Sequence, residues 1–446
     1  MHDAHIVNKS LGYDIQTIKY VKYISIPSMS WNAITTSSSM KHEPESAASF
    51  FLNRGITAGI INNAKQLAYF VHHYPVLTEL MERINKDQET YCGSSGTQWV
   101  NICSSLNNGF TPINIKDWIM KFAVHQYSCY FHSGPKLIKV SLHIWSSTVL
   151  NDNQLLKIIE TTNRAITVVT QLYSHRIDTN PKIEINYMMT FFNKQIKKHQ
   201  PNENPRLDEY LRQIAVYYNK TGKYRINSSN VHKTVNIEQV NSGICFISPQ
   251  KSSILIWRTE EYEKVLMHEL THYFQLEKLR LPSLIKTLNL NVSNAFPDYP
   301  NELMTECQTW YMYLVYQQSI HQSDWTATIL LQKIQNEQKY ALSKIVQCLI
   351  HHDLDDIEQL RGADDNKLIN QNCSYIYYYI LKSMIVGHLN SCSLKLILPS
   401  VNTVTVKELI THIQDAFRHL RHPINAMILD PNIDLPTTTC MVAPQT

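Results

Sequence analysis

Two histidines four residues apart, His268 and His272, enclose a carboxylate, Glu269. On a helix this spacing places both imidazoles on one face, a single turn apart. Imidazole nitrogens are preferred ligands of Zn²⁺, and a carboxylate beside them can act as general base towards a water molecule that the metal activates. The string H-E-x-x-H therefore predicts a hydrolytic zinc site with one Zn²⁺ per chain, His268 and His272 as metal ligands and Glu269 as the catalytic base.

The residues around this motif predict the elements that position it. The stretch 253–257 is β-branched and aromatic, which is typical of a strand, and Thr259 can cap a helix that follows it. Apolar residues then recur at helical spacing as far as Pro282. We expect a strand that runs into a largely buried helix over 260–280, with both histidines facing inward. The alternative is a core helix whose histidines are only hydrogen-bonded.

Two imidazoles do not hold a catalytic zinc ion, since such a site needs a third protein ligand and leaves a further position for water. Glu302 and Glu306 open a second helical pattern over 301–320 and, being four residues apart, share a face. Either acid is a candidate for the third ligand. The flanking residues are apolar, which favours a buried helix over an acidic pair on a solvated face.

The string Asn301-Glu302-Leu303-Met304-Thr305-Glu306 resembles the second signature of the gluzincin metallopeptidases, an Asn-Glu pair followed two residues later by a small residue and an acid. The resemblance implies that Glu302 is the third zinc ligand and that Thr305 permits close helix packing. It implies that Glu306 accepts the N–H of a histidine ligand, His268 being the expected donor. The assignment with Glu306 as ligand and Glu302 as a helix N-terminal acid stays open.

The same resemblance implies a zinc-dependent metallopeptidase that hydrolyses peptide bonds, with a peptide or protein as substrate. Gluzincins usually take the donor for the oxyanion from a downstream Tyr or His. The predicted helix 374–390 offers Tyr377, Tyr378, Tyr379 and His388 for this role, and we take Tyr378 and His388 as the candidates. A catalytically silent zinc-binding structural or virion-associated protein is the alternative. The intact Glu269 argues against it, because a structural site has no use for a carboxylate at the water position.

The periodicity of the chain predicts an α+β fold, and the resemblance to gluzincins implies that this fold is zincin-like. A β–α–β pattern comprises a strand near 137–144, a helix over 155–172 opened by Asn151, and a strand near 183–187. Together with strands near 244–257 they form a small mixed sheet packed on the active-site helix, and a largely helical C-terminal region follows. We predict four divisions of the chain. They are a flexible arm over 1–45, a helical region over 46–125, an α/β sheet subdomain over 126–258 and a helical subdomain with the zinc site over 259–446.

Composition restricts the class of protein further. The net charge of +4 is small and dispersed, so nothing favours nucleic acid as a partner, and no apolar run predicts a membrane span. The N-terminus lacks the pattern of a secretory signal, and the nine cysteines contain no C-x-x-C pair. We expect an intracellular, cytoplasmic protein with reduced thiols, not a secreted one; the oligomeric state stays open.

A second, less specific resemblance covers about 240–310. The stretches Val240–Gly243, Ile254–Arg258 and Lys264–Met267 look like uncharacterised zincin-like proteins of large eukaryotic DNA viruses. The chain is also poor in glycine, with 11 in 446 residues, as an AT-rich coding genome would give. Together these features suggest a viral protein, with association with the virion as one expectation.

Overall fold

The structure is a computed structural model. It describes residues 111–429 except for 124, 134–137, 178–180, 191–234, 236, 248–251, 278–280, 294–298, 321–326, 363, 365–366, 372, 390 and 398–403. The arm predicted for 1–45 and most of the helical region predicted for 46–125 lie outside the described residues.

A five-stranded mixed sheet occupies the first half of the described chain. Its spatial order is β1-β2-β3-β5-β4, in which β2, β3 and β5 run parallel and the two outer strands pair antiparallel with their neighbours. The strands are β1 (His125–Ser133), β2 (Ile138–Ser146), β3 (Lys182–Met188), β4 (Gly243–Phe246) and β5 (Ser253–Ile256). The short strand β4 therefore forms one edge of the sheet.

Helices cover the sheet and make up the rest of the described chain, so the α+β class is confirmed. They are α1 (Ile113–Phe122), α2 (Asp152–Leu172), α3 (Ile237–Val240), α4 (Tyr262–Tyr273), α5 (Leu284–Thr287), α6 (Asn301–Ile320), α7 (Ala327–His351), α8 (Lys382–Gly387), α9 (Ser391–Ile397) and α10 (Val406–Leu429). A 3₁₀ turn spans Ile357–Leu360, and a π-helix over Ile376–Leu381 leads directly into α8.

The two faces of the sheet are buried against different partners. One face, with Leu142 of β2 and Ile185 of β3, belongs to a large core that also takes in α2, α4, α6 and the C-terminal helices. The other face packs Trp145 and Trp257 against Trp118 of α1 in a smaller cluster. Because one core includes residues from both sides of position 258, the sheet and the C-terminal helices pack as one body within the described part of the chain.

The predicted β–α–β unit is confirmed. Asn151 caps α2 through a reciprocal pair of bonds with Gln154, whose side chain returns to the Asn151 backbone N–H. The predicted helix 301–320 is present as α6 with the same bounds, and 325–350 corresponds to α7. The helix predicted for 406–420 continues to Leu429, and 374–390 holds the π-helix and α8. Within the described residues, no helix has both the length and the apolar character needed to cross a bilayer.

A stack of three imidazoles joins α8 to α10. The ring of His388 lies nearly parallel to those of His412 and His419, with centroids 5.6 and 4.6 Å away. His412 is buried, and neither of its ring nitrogens has a hydrogen-bond partner among the described residues. Burial, followed by the neighbouring His388, lowers the pKa of His412 to about 3, against the opposing effect of Asp415.

Acid should therefore destabilise the packing of α10. A folded-state pKa of about 3 lies below the usual histidine value of about 6.5, so the unfolded chain binds the extra proton and stability falls as pH drops from about 6.5 towards 3. We expect His412→Leu to reduce the difference in the free energy of unfolding between pH 7.5 and pH 5, measured by urea titration. The control His175→Leu removes an exposed imidazole and should keep the wild-type difference. An unchanged difference in His412→Leu would contradict the role of the buried ring.

Candidate metal centre

Helix α4 carries the H-E-x-x-H residues, as predicted, but its ends differ from the prediction. The helix begins at Tyr262, and the N-cap position is Glu261, which has a left-handed backbone (φ 56°) and no side-chain cap bond. The expectation that Thr259 caps the helix is wrong. Its hydroxyl instead donates to the carbonyl of Thr190 just after β3, at 3.0 Å, so this residue ties the start of the helix to the sheet.

Helix α4 also ends earlier than predicted, at Tyr273 rather than near 280. Gln275 adopts φ 50°, and its N–H and that of Leu276 bond the carbonyls of His272 and Thr271. This is the Schellman arrangement, usually built on glycine, which reverses the chain at a helix C-terminus. Arg176 donates to the carbonyls of Gln275 and Leu276 and so supports the turn. Because the chain reverses direction at this turn, Glu277 lies next to His272.

Helix α6 packs against α4 and delivers the two candidate acids. Of these, Glu302 approaches both imidazoles, while Glu306 lies on the opposite side of His268. Glu302 Oε2 lies 3.3 Å from His268 Nε2 and 3.4 Å from His272 Nε2, and the two Nε2 atoms are 3.2 Å apart. Three potential ligand atoms from two helices thus form a nearly equilateral triangle.

The size of this triangle suits a small divalent cation. A tetrahedral zinc site with bonds of about 2.0–2.1 Å places its ligand atoms about 3.3–3.4 Å apart. Glu302 Oε2 is buried and makes no contact of hydrogen-bond geometry among the described residues, and the polar atoms facing it are the two imidazole nitrogens that would share a cation with it. His268, His272 and Glu302 therefore fit a metal ion both in spacing and in the chemistry of their donor atoms.

Each imidazole has a carboxylate on its other nitrogen. His268 Nδ1 lies 2.8 Å from Glu306 Oε1, and His272 Nδ1 lies 2.7 Å from Glu277 Oε1. An acceptor at Nδ1 favours the tautomer that leaves the Nε2 lone pair available for coordination. Thr305, which is fully buried where α6 meets α4, donates its hydroxyl to Glu277 at 3.4 Å.

The cluster stabilises positive charge. Burial alone would lower the pKa of His268, but the carboxylates of Glu302 and Glu306 raise it to about 9. Burial opposes ionisation of Glu302, yet the imidazoles of His272 and His268 hold its pKa well below the usual range. Lys264 and His268 likewise lower the pKa of Glu306. Several carboxylates around two imidazoles create an environment that favours a bound cation.

Glu269 lines the same cavity, which has a volume of about 300 Å³. Its carboxylate is almost completely buried, and this burial raises its pKa. The edge strand β4 passes directly over it. A Cβ atom at Gly243 would lie 3.0 Å from Glu269 Oε1 and 2.7 Å from Val265 Cγ1, so only glycine permits the observed approach of β4 to α4.

The structure brings only one of the two predicted oxyanion donors to the cavity. Tyr378 lines it, with its ring centroid 6.0 Å from that of His268. His388, ten residues after Tyr378, does not line the cavity. It follows the end of α8 at Gly387 and belongs to the imidazole stack against α10. Tyr378 lies in the π-helix, a conformation often found at functional sites.

Three residues of the site are absent from the sequence prediction. Lys264 precedes His268 by one turn, and that spacing places a cation on the same inward face. Glu277 follows His272 by five residues, but the helix predicted to 280 would point it elsewhere. Gly243 is one of few glycines in the chain and lies at the start of a predicted strand, where close backbone approach is one reason for glycine.

Adding a methyl group at Gly243 should disturb the site locally. We expect Gly243→Ala to lower the free energy of unfolding by about 1–3 kcal/mol, the range for overpacking, because Val265 and Glu269 must shift. Gly387→Ala is the control, since its Cβ would meet only leucine methyl groups, at 3.3 Å, and its loss should be smaller. Chemical unfolding measures both. Equal effects in the two variants would show that the approach of β4 to Glu269 is not tightly constrained.

The chain was compared with protein-family models, with curated proteins and with solved structures. None of them matches it.

Proposed function

We propose that this chain is a zinc-dependent metallopeptidase with a zincin-like fold of the gluzincin type. The observation that carries the proposal is the triangle of His268 Nε2, His272 Nε2 and Glu302 Oε2, with sides of 3.2–3.4 Å, beside the buried carboxylate of Glu269. A zinc ion bound there would lower the pKa of a bound water from about 15.7 to about 7 and polarise the substrate carbonyl.

Glu269 is the proposed general base. It lines the cavity next to the two imidazoles and has no room to turn towards β4, since Gly243 is in close contact. From this position its carboxylate can accept a proton from the attacking water and return it to the leaving amine. Its raised pKa, caused by burial, makes it a stronger proton acceptor than an exposed glutamate and so favours the first of these transfers.

Tyr378 is the proposed donor to the developing oxyanion. Its hydroxyl is held in the protonated form because burial, and then the nearby carboxylates of Glu302, Glu306 and Glu269, raise its pKa well above the usual value. A phenol that stays protonated at neutral pH can donate a hydrogen bond to negative charge. The site thus has an acceptor, Glu269, and a donor, Tyr378, in one cavity.

The edge strand β4 supports a peptide as substrate. Gly243, Ile244 and Cys245 line the cavity, and β4 pairs with β5 on one side only among the described strands. An extended peptide can add to such an edge through main-chain hydrogen bonds. Its scissile bond would then lie over the two imidazoles and Glu269.

The metal site is tested by stoichiometry and affinity. Protein purified without chelators should bind about one Zn²⁺ per chain, and Glu302→Gln should weaken binding by more than the roughly 10–100-fold typical of outer carboxylates such as Glu306. Glu263→Gln is the control, because it removes a carboxylate from α4 that does not line the cavity. Elemental analysis and chelator competition measure both quantities. Absence of zinc binding by the wild type would refute the proposal.

The hydrolytic step is tested with Glu269→Gln. This change keeps the side-chain volume and leaves the three proposed ligands intact, so zinc content should be retained. Cleavage of a random peptide library should fall about 10²–10⁴-fold, since the proton acceptor is lost. A wild-type protein that binds zinc but cleaves no peptide would instead favour a structural zinc site, and cleavage that survives in Glu269→Gln would remove the assigned base.

A further inference from the structure

A buried lysine contacts the carboxylate behind the first histidine. Lys264 Nζ lies 3.3 Å from Glu306 Oε2, and both side chains are completely shielded from solvent. The other oxygen, Glu306 Oε1, lies 2.8 Å from His268 Nδ1. The carboxylate therefore lies between an ammonium group and an imidazole, with one oxygen close to each.

We propose that Lys264 is a positioning residue for the metal centre, which orients Glu306 and through it the imidazole of His268. The inference rests on the proposed function, since it assumes that His268 Nε2 binds a metal ion. Lys264 and His268 are four residues apart on α4 and therefore lie on the same face of the helix. That face thus carries both the proposed metal ligand, His268, and the lysine that contacts Glu306.

The surroundings of Lys264 favour this role over a purely structural one. Its sequence neighbours Val265, Leu266 and Met267 are buried in the main core, where an apolar side chain would pack without the cost of desolvating a charge. A buried ammonium is retained here together with one well-defined partner, Glu306. A second buried cation, Lys382 of α8, also interacts electrostatically with Glu306.

The two histidines are consequently held in different ways. His268 is held through Glu306 and Lys264, which have no solvent exposure. The side chain of His272 is 22% exposed, and Glu277, its partner, is 16% exposed and receives the hydroxyl of Thr305. Water can replace a lost contact at Glu277 more readily than at Glu306. Loss of Lys264 should thus affect metal binding although it lies outside the set of ligands.

The test compares zinc affinities of variants by chelator competition at constant pH, with the thermal stability of the metal-free proteins measured alongside. Lys264→Met should raise the zinc dissociation constant about 10–100-fold, as other changes behind a histidine ligand do, and Lys264→Arg should restore most of the affinity. Lys344→Met is the control. This lysine of α7 is also buried but bonds Gln347, so its loss can lower stability while zinc affinity stays within about 3-fold of wild type.

A double variant separates positioning from general destabilisation. If Lys264 acts through Glu306, Lys264→Met added to Glu306→Gln should cause no further loss of zinc affinity, whereas independent effects would multiply. Wild-type affinity in Lys264→Met, or multiplied losses in the double variant, would overturn the inference. If Lys264→Met does not fold, Lys264→Gln serves in its place, and unchanged zinc affinity in that variant has the same meaning. Failure of the wild type to bind zinc would instead refute the proposed function.

Discussion

The approach of one carboxylate oxygen of Glu302 to two imidazole nitrogens is the contact on which the site depends. The imidazoles belong to α4 and the carboxylate to α6, so their meeting requires these helices to pack closely. Thr305, fully buried between them, is small enough to allow this and donates its hydroxyl across the contact to Glu277. A larger side chain at this position would separate the helices and open the triangle.

The sheet supplies the second constraint, because it sets the position of α4 from the opposite side. Thr259 binds the chain just after β3, and β5 leads into the helix within a few residues. Gly243 lets β4 lie against Glu269, so the edge strand and the carboxylate share one cavity. The position of Glu269 is therefore determined by the sheet, and that of Glu302 by helix packing.

Sequence patterns anticipated the parts of the protein that depend on local periodicity. The spacing of His268 and His272, the paired acids of α6 and the capped helix α2 all follow from residues within a few turns of one another. Glu277 could not be predicted, because it depends on a left-handed residue at Gln275, where glycine would be the usual indication. Lys264 was missed because lysine in a helical pattern is normally expected to face solvent. His388 and Tyr378 are equivalent candidates in the sequence, and only the packing of His388 against α10 separates them.

The division of the donor atoms between α4 and α6 has a consequence for the protein as a whole. An ion held by both helices would act as a crosslink that exists only in the folded chain. By mass action, the melting temperature would then rise with the concentration of free ion, by an amount that the dissociation constant determines. Heat tolerance would thereby become a property of the cellular metal supply as much as of the polypeptide.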